Sequence, residues 1–187
     1  MLDELHNLAR ISDRILMLAT ADHPEYLRPE RLSVSSLLQR IGDRWRIAAD
    51  RDWRVASIDG PHIDVDADQV ERALDAVIEN AVKHTVDGDM IRVAAASDGM
   101  TVVIEIDDTG TGIANTDLPH VFERFYGTGS GARRGTGLGL AIVRSVVDAH
   151  DGRVAIQSQP GSGTTVTLSF PQAPSTAVDP PPRLSTR

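Results

Sequence analysis

Helical and strand periodicities interleave along this 187-residue chain without a repeating strand–helix–strand rhythm. That order narrows the fold more than any single motif does. Val34, Leu37, Leu38, Ile41 and Trp45 recur at helical spacing, and residues 53–58 then alternate as a strand does. A turn at Asp59-Gly60-Pro61 leads to a short strand at 63–65. Asp68 is positioned to cap a long helix running to His84, with Val70, Ala73, Leu74, Val77, Ile78 and Ala81 on its apolar face. Residues 91–96 and 101–106 read as a hairpin, followed by a glycine-rich stretch over 110–139 with a small helix near 118–125. A helix over 138–149 and strands at 153–158 and 164–170 complete the series. The order predicts an α/β two-layer sandwich, a mixed sheet with helices on one face. A doubly wound nucleotide fold fits less well, because no glycine fingerprint directly follows the first strand.

This predicted domain spans 32–171. Ahead of it, in 1–31, Leu8, Ile11, Ile15 and Leu18 follow 3-4-3 spacing between Glu4, Arg10, Asp13 and Arg14. Such a seam suits a helix over 1–20 that docks on other helices and so contributes to an oligomer, or one that packs on its own domain. Behind it, 172–187 is rich in Pro, Ser and Thr without apolar period, and is expected to be disordered. The absence of cysteine excludes disulfides, thiolate metal sites and cysteine nucleophiles. A net charge of −8 argues against a nucleic-acid partner. No run approaches the roughly 18–20 apolar residues of a membrane span, so no membrane insertion and a cytoplasmic location are expected. Among 19 basic residues only Lys83 is lysine.

Three clusters carry chemistry. In Glu79-Asn80-Ala81-Val82-Lys83-His84-Thr85, the spacing puts Asn80, Lys83 and His84 on one helical face. An amide oxygen, an ammonium and an imidazole aimed at one place suit a metal-bound polyphosphate. A solvated helix end, where cations are favourable, would give the same string. In Glu105-Ile106-Asp107-Asp108-Thr109-Gly110-Thr111-Gly112-Ile113, a strand delivers a carboxylate into a turn where glycine admits close backbone approach. A carboxylate there can accept from an exocyclic amine, or can simply end an acidic strand. In Gly135-Thr136-Gly137-Leu138-Gly139-Leu140, alternate glycines lead into an apolar helix whose first-turn N–H groups form an anion site. Leu140 and Ala141 stand where a Walker loop needs Lys and Ser/Thr. Arg133 and Arg134 precede it on a glycine-rich segment suited to a lid over phosphates.

Taken together, these strings resemble the catalytic ATP-binding domain of bacterial two-component sensor histidine kinases, within the wider family of gyrase, Hsp90 and MutL. Residues 79–85 resemble the N box, 108–112 the G1 box, 121–126 the F box, 135–140 the G2 box, and Gly161-Ser162-Gly163-Thr164 the final glycine-threonine turn. The resemblance covers roughly residues 32–171 and implies a Bergerat fold binding ATP and Mg²⁺, with 1–31 a partial dimerisation and phosphotransfer helix, similar to the second helix of a histidine-kinase dimerisation domain, and a linker. It implies that Asn80 ligates Mg²⁺, Lys83 meets phosphate and His84 lies against the nucleotide. Asp108 would take the adenine amine, with Thr164 nearby, while Gly110, Gly112 and Ile113 shape the purine pocket. Arg133, Gly135, Thr136, Gly137, Leu138, Gly139 and Leu140 would line the phosphates. Phe122 and Phe125 would anchor the lid, or serve as core aromatics.

Two departures from the family matter. Ala76 stands where a second asparagine is usual, and where gyrase-like ATPases hold a water-activating glutamate; efficient hydrolysis is not expected. Glu79, about 100° from Asn80 around the helix, is the nearest substitute. None of the six histidines, His6, His23, His62, His84, His120 and His150, has the acidic-Leu-Arg context of an H box. The chain, which starts at Met1, is therefore expected to be half of a split kinase or a truncated piece. In either case it would phosphorylate in trans a histidine on a separate protein, such as a membrane sensor chain, that feeds a response regulator. An anti-sigma-type serine kinase and a non-catalytic ATP-gated binding module are the alternatives.

Overall fold

A computed structural model describes residues 27–56, 60–127 and 136–174. The seam helix expected over 1–20, Arg133, Arg134, Gly135 and the tail from 175 onward lie outside the described residues. In chain order the elements are β1 (Glu30–Ser33), α1 (Val34–Ala48), β2 (Asp52–Ala56), β3 (His62–Val65) and α2 (Ala67–His84). They continue with β4 (Met90–Ser97), β5 (Thr101–Asp108), a 3-10 turn (Leu118–His120), α3 (Gly139–Ala149), β6 (Arg153–Gln159) and β7 (Gly163–Pro171).

The main sheet has the order β2-β4-β5-β7-β6, with β2 and β4 parallel and the other neighbours antiparallel. Alternation along the strands sorts the side chains. Ile91 and Val93 of β4, Val102, Ile104 and Ile106 of β5, and Val166, Leu168 and Phe170 of β7 are buried in one core with the apolar faces of the three described helices. On the opposite face Arg92 pairs with Glu105 and, at 3.7 Å, with Asp107. This is the predicted two-layer α/β sandwich.

The details depart from expectation in four places. Residues 30–33 form a strand not expected from the sequence, paired antiparallel with β3 so that Leu32 faces Ile63. With a single buried apolar residue, that strand has no readable period. Asp66, not Asp68, caps α2: its Oδ1 accepts from the Gln69 N–H at 3.1 Å, while Asp68 lies in the first turn. The expected helix over 118–125 is one 3-10 turn over Leu118–His120, followed by turns in which Phe125 takes a φ of 67°. Order also runs past Pro171: Gln172 N–H donates to Met100 O at 2.8 Å, and Ala173 N–H to His62 O at 2.7 Å.

α2 and α3 pack against each other. The C-terminal cap of α3, His150, accepts at Nε2 from the Asp66 N–H at the start of α2, at 3.0 Å, so the two helices run antiparallel. Eleven residues of α3 then run back along α2 for about 16 Å, so that the N-terminus of α3 lies toward the C-terminal half of α2.

Candidate functional site

The strand β5 ends in Asp108, which is only 8 % exposed. Its Oδ1 accepts from the Gly110 N–H at 2.9 Å, and the carboxylate also accepts from the Thr164 N–H. Burial dominates those two stabilising bonds and pushes the carboxyl up to about 6, with Asp107 and Asp89 adding repulsion. Such a carboxylate gains from a donor brought by a ligand, because that donor replaces the water it has lost.

A serine that stands in none of the sequence motifs braces this pocket. Ser158 Oγ accepts from the Ile113 N–H at 2.8 Å, donates to Gly163 O at 2.7 Å, and lies 2.9 Å from Thr164 Oγ1. Its one proton goes to the Gly163 carbonyl, so the Thr164 hydroxyl donates to it. The 109–113 turn is thereby fixed to the β6–β7 turn. Gly161 N–H adds a bond to Thr111 O at 2.8 Å.

The end of α2 abuts the same turn. Thr111 N–H donates to His84 O at 3.0 Å, and a Cβ on Gly110 would overlap that oxygen. A Cβ on Gly112 would likewise overlap Gln159 O. Glu79, Asn80, Lys83 and His84 are half-buried on the last turns of α2. The first two sequence clusters are thus in direct contact, and the third approaches through the antiparallel helix α3.

α3 begins differently from the other two described helices. Ser33 and Asp66 cap α1 and α2 with side-chain oxygens, but Leu138 at the start of α3 supplies none. A Cβ at Gly139 would meet nothing within 4 Å. An uncapped helix N-terminus opening on free space suits an anion. Thr136 Oγ1 accepts from the Leu138 N–H at 3.4 Å. The Leu138 side chain is in the core and Leu140 packs at its edge. Gly137, at φ 68°, packs on the Phe125 backbone and its carbonyl accepts from the Phe125 N–H at 2.8 Å. Phe125 itself is 74 % exposed, which overturns its assignment as a core aromatic. Phe122 is half-buried, with the Arg144 guanidinium 5.9 Å from its ring centroid.

Among the described residues no cluster of three or more His, Asp or Glu is arranged to cage a metal. Asn80, half-buried near the end of α2, carries a neutral amide oxygen, a donor type that hard cations accept alongside phosphate and water oxygens.

A buried carboxylate beside the end of α2, with a helix start that lacks a side-chain cap, suits a nucleotide-binding domain of the two-layer type. The family described as "Histidine kinase-, DNA gyrase B-, and HSP90-like ATPase" matches residues 65–174, and the chain belongs to it. Among curated proteins it is 33 % identical over 175 residues to the sensor protein IrlS of Burkholderia pseudomallei, covering 91 % of this chain and 38 % of IrlS. It is 32 % identical over 181 residues to the sensor-like histidine kinase SenX3 of Mycolicibacterium smegmatis, covering 93 % of this chain and 47 % of SenX3. The chain thus spans less than half of these relatives. Among solved structures, the mycobacterial sensor histidine kinase MprB aligns with TM-score 0.69 and 28 % identity, over 79 % of this chain and 99 % of that one. Full-length ShkA in complex with AMPPNP aligns with TM-score 0.76 and 26 % identity, over 91 % of this chain and 37 % of that one. The domain is of the sensor histidine kinase type.

Proposed function

We propose that this domain binds Mg·ATP and passes the γ-phosphoryl group to a histidine on a separate protein, which feeds a two-component response regulator. The observation that carries the assignment is Asp108: a desolvated carboxylate, held by Gly110 and Thr164 N–H groups at the end of β5. It suits the 6-amino group of adenine. Gly110, Gly112 and Ile113 shape the floor of this purine end, and Thr164 orders it.

At the other end, Asn80 would hold Mg²⁺, which when bound neutralises phosphate charge. Lys83 supplies a point charge to phosphate and His84 packs beside the nucleotide. Glu79 lies one position away, on the neighbouring helical face. The backbone from Thr136 to Leu140 offers N–H donors at the start of α3, and Arg133 and Gly135 complete the phosphate side. In the transfer, the bond from the γ-phosphorus to the β–γ bridging oxygen breaks, a bond to the acceptor imidazole nitrogen forms, and ADP leaves. The chain's contribution is positioning and charge neutralisation.

An acceptor outside these 187 residues is supported by the histidines present, none of which has an H-box context. The test uses labelled ATP. The chain alone should gain almost no acid-labile label, and adding a dimerisation fragment that carries an H box should give a labelled fragment. Strong acid-labile label on the chain itself would sink transfer in trans.

A further inference from the structure

The C-terminal turn of α2 carries Lys83 and His84, yet it has no glycine stop. Its cap, Thr85, is extended at φ −109° and ψ 167°. The last carbonyls of a helix need donors from elsewhere. Thr85 Oγ1 donates to Ala81 O at 2.9 Å. Further donors come from Arg51, in the segment between α1 and β2. Its Nη2 donates to Thr85 O at 3.1 Å and to Val82 O at 3.4 Å, and its Nε donates to Thr85 Oγ1 at 2.8 Å. Its Nη1 donates to Asp50 O at 2.7 Å and to Asp87 Oδ1 at 2.5 Å. The Arg51 side chain is 10 % exposed.

We infer that Arg51 is a positioning residue for the triphosphate end of the nucleotide site. The guanidinium fork grips two carbonyls and a hydroxyl of one helical turn, a fit that a lysine ammonium cannot reproduce. Its positive charge also lies where the helix dipole is negative. The turn it grips holds Lys83 and His84, and the His84 carbonyl in turn receives the Thr111 N–H. Arg51 therefore fixes the phosphate-facing side chains without touching the ligand. Asp108 itself is held by Gly110 and Thr164, and Ser158 ties its turn to the β6–β7 turn, so it is the Thr111 bond to His84 O that joins the purine floor to the turn that Arg51 grips.

This role rests on the nucleotide assignment above, and the experiment separates the two. AMPPNP with Mg²⁺, and adenosine alone, are titrated calorimetrically into wild type, Arg51→Met, Arg51→Lys and the control Arg54→Gln, whose side chain is 62 % exposed. Absence of AMPPNP binding to wild type would reject the nucleotide assignment itself. With binding present, Arg51→Met should lose about tenfold in AMPPNP affinity, equivalent to about 1.4 kcal/mol, and Arg51→Lys should lose several-fold. Adenosine affinity should change less than twofold, and Arg54→Gln should match wild type. Equal losses for AMPPNP and adenosine would mark Arg51 as a general stabiliser and overturn the inference. Unchanged AMPPNP affinity in Arg51→Lys would overturn it too, and that arm stands even where Arg51→Met does not fold.

Discussion

The Asp108 carbonyl oxygen occupies the space that a Cβ on residue 163 would need, so β5 and the start of β7 approach each other only because that residue is Gly163. Its φ of 98° adds a second reason, since side-chain-bearing residues rarely adopt it. Gly163→Ala should therefore destabilise the domain by at least about 2 kcal/mol. Gly161, at φ 75° with open space for 4 Å around an added Cβ, supplies the comparison. Gly161→Ala carries strain alone and should cost about 1 kcal/mol. Urea denaturation of both variants checks the ordering.

Asp108→Asn should separate binding from stability. The amide keeps an acceptor but loses the charge, and AMPPNP affinity should fall more than about tenfold. Wild-type carboxyl 108 is raised from 3.8 to about 6, so the folded state holds its proton more tightly than the unfolded state. Its contribution to stability is therefore greatest at low pH and declines as pH rises from 3.8 to about 6. At neutral pH the variant, neutral throughout, should melt no lower than wild type. A lower melting point would mean that the ionised group supports the unliganded fold.

Nucleotide binding should release protons near pH 6. An amine donor favours the carboxylate, lowers its affinity for the proton and expels it. AMPPNP affinity should weaken as pH falls from 7 to 5. Calorimetry in buffers of differing ionisation enthalpy would reveal the proton release, and Asp108→Asn should abolish it.

His150 ties the far ends of α2 and α3. Its Nδ1–H donates to Val146 O at 2.7 Å while Nε2 accepts from the Asp66 N–H. His150→Ala leaves both backbone groups without these partners and should cost about 1–3 kcal/mol, measured by denaturant midpoint. AMPPNP affinity of the folded variant should stay within about threefold of wild type.

Arg44 joins α1 to α2, donating to Glu71 at 2.7 Å and to both oxygens of Asp75. Burial opposes ionisation of Glu71, but hydrogen bonds from Arg44 and Arg40 outweigh it and hold the carboxyl below its usual value. A lowered carboxyl contributes stability above its unfolded value of 4.5 and loses that contribution as pH falls through the folded one. Arg44→Ala should cost up to about 1 kcal/mol at pH 7 and less in acid. Thermal melts at the two pH values give the comparison.

Contiguous strings make much of this domain legible. Asn80, Lys83 and His84 share a face because helical spacing is regular, and Asp108 stands out because glycines follow it at once. The bracing residues carry no such local sign. Ser158 meets Ile113 across 45 positions, and Arg51 meets Thr85 across 34. A lone serine in a strand and an arginine before one look ordinary until the sheet brings their partners close. The cap of α2 escapes the letters for a related reason: Asp66 and Asp68 are equivalent in kind, and only the start of the helix decides between them. Strand β1 is invisible in its own pattern, because its pairing with β3 is what makes it a strand.

Asp108 stands at the end of β5, the middle strand of the five, with a ladder partner on each side. A base seated there meets the least yielding part of the molecule. Occupancy cannot be signalled by sliding that strand, since β4 and β7 would both lose register. With the nucleotide placed as proposed, any response to it would leave through what hangs from the ladder: the turn after Asp108, the end of α2, and the approach to α3. The rigid sheet acts as a datum, and the message is written in the loops around it.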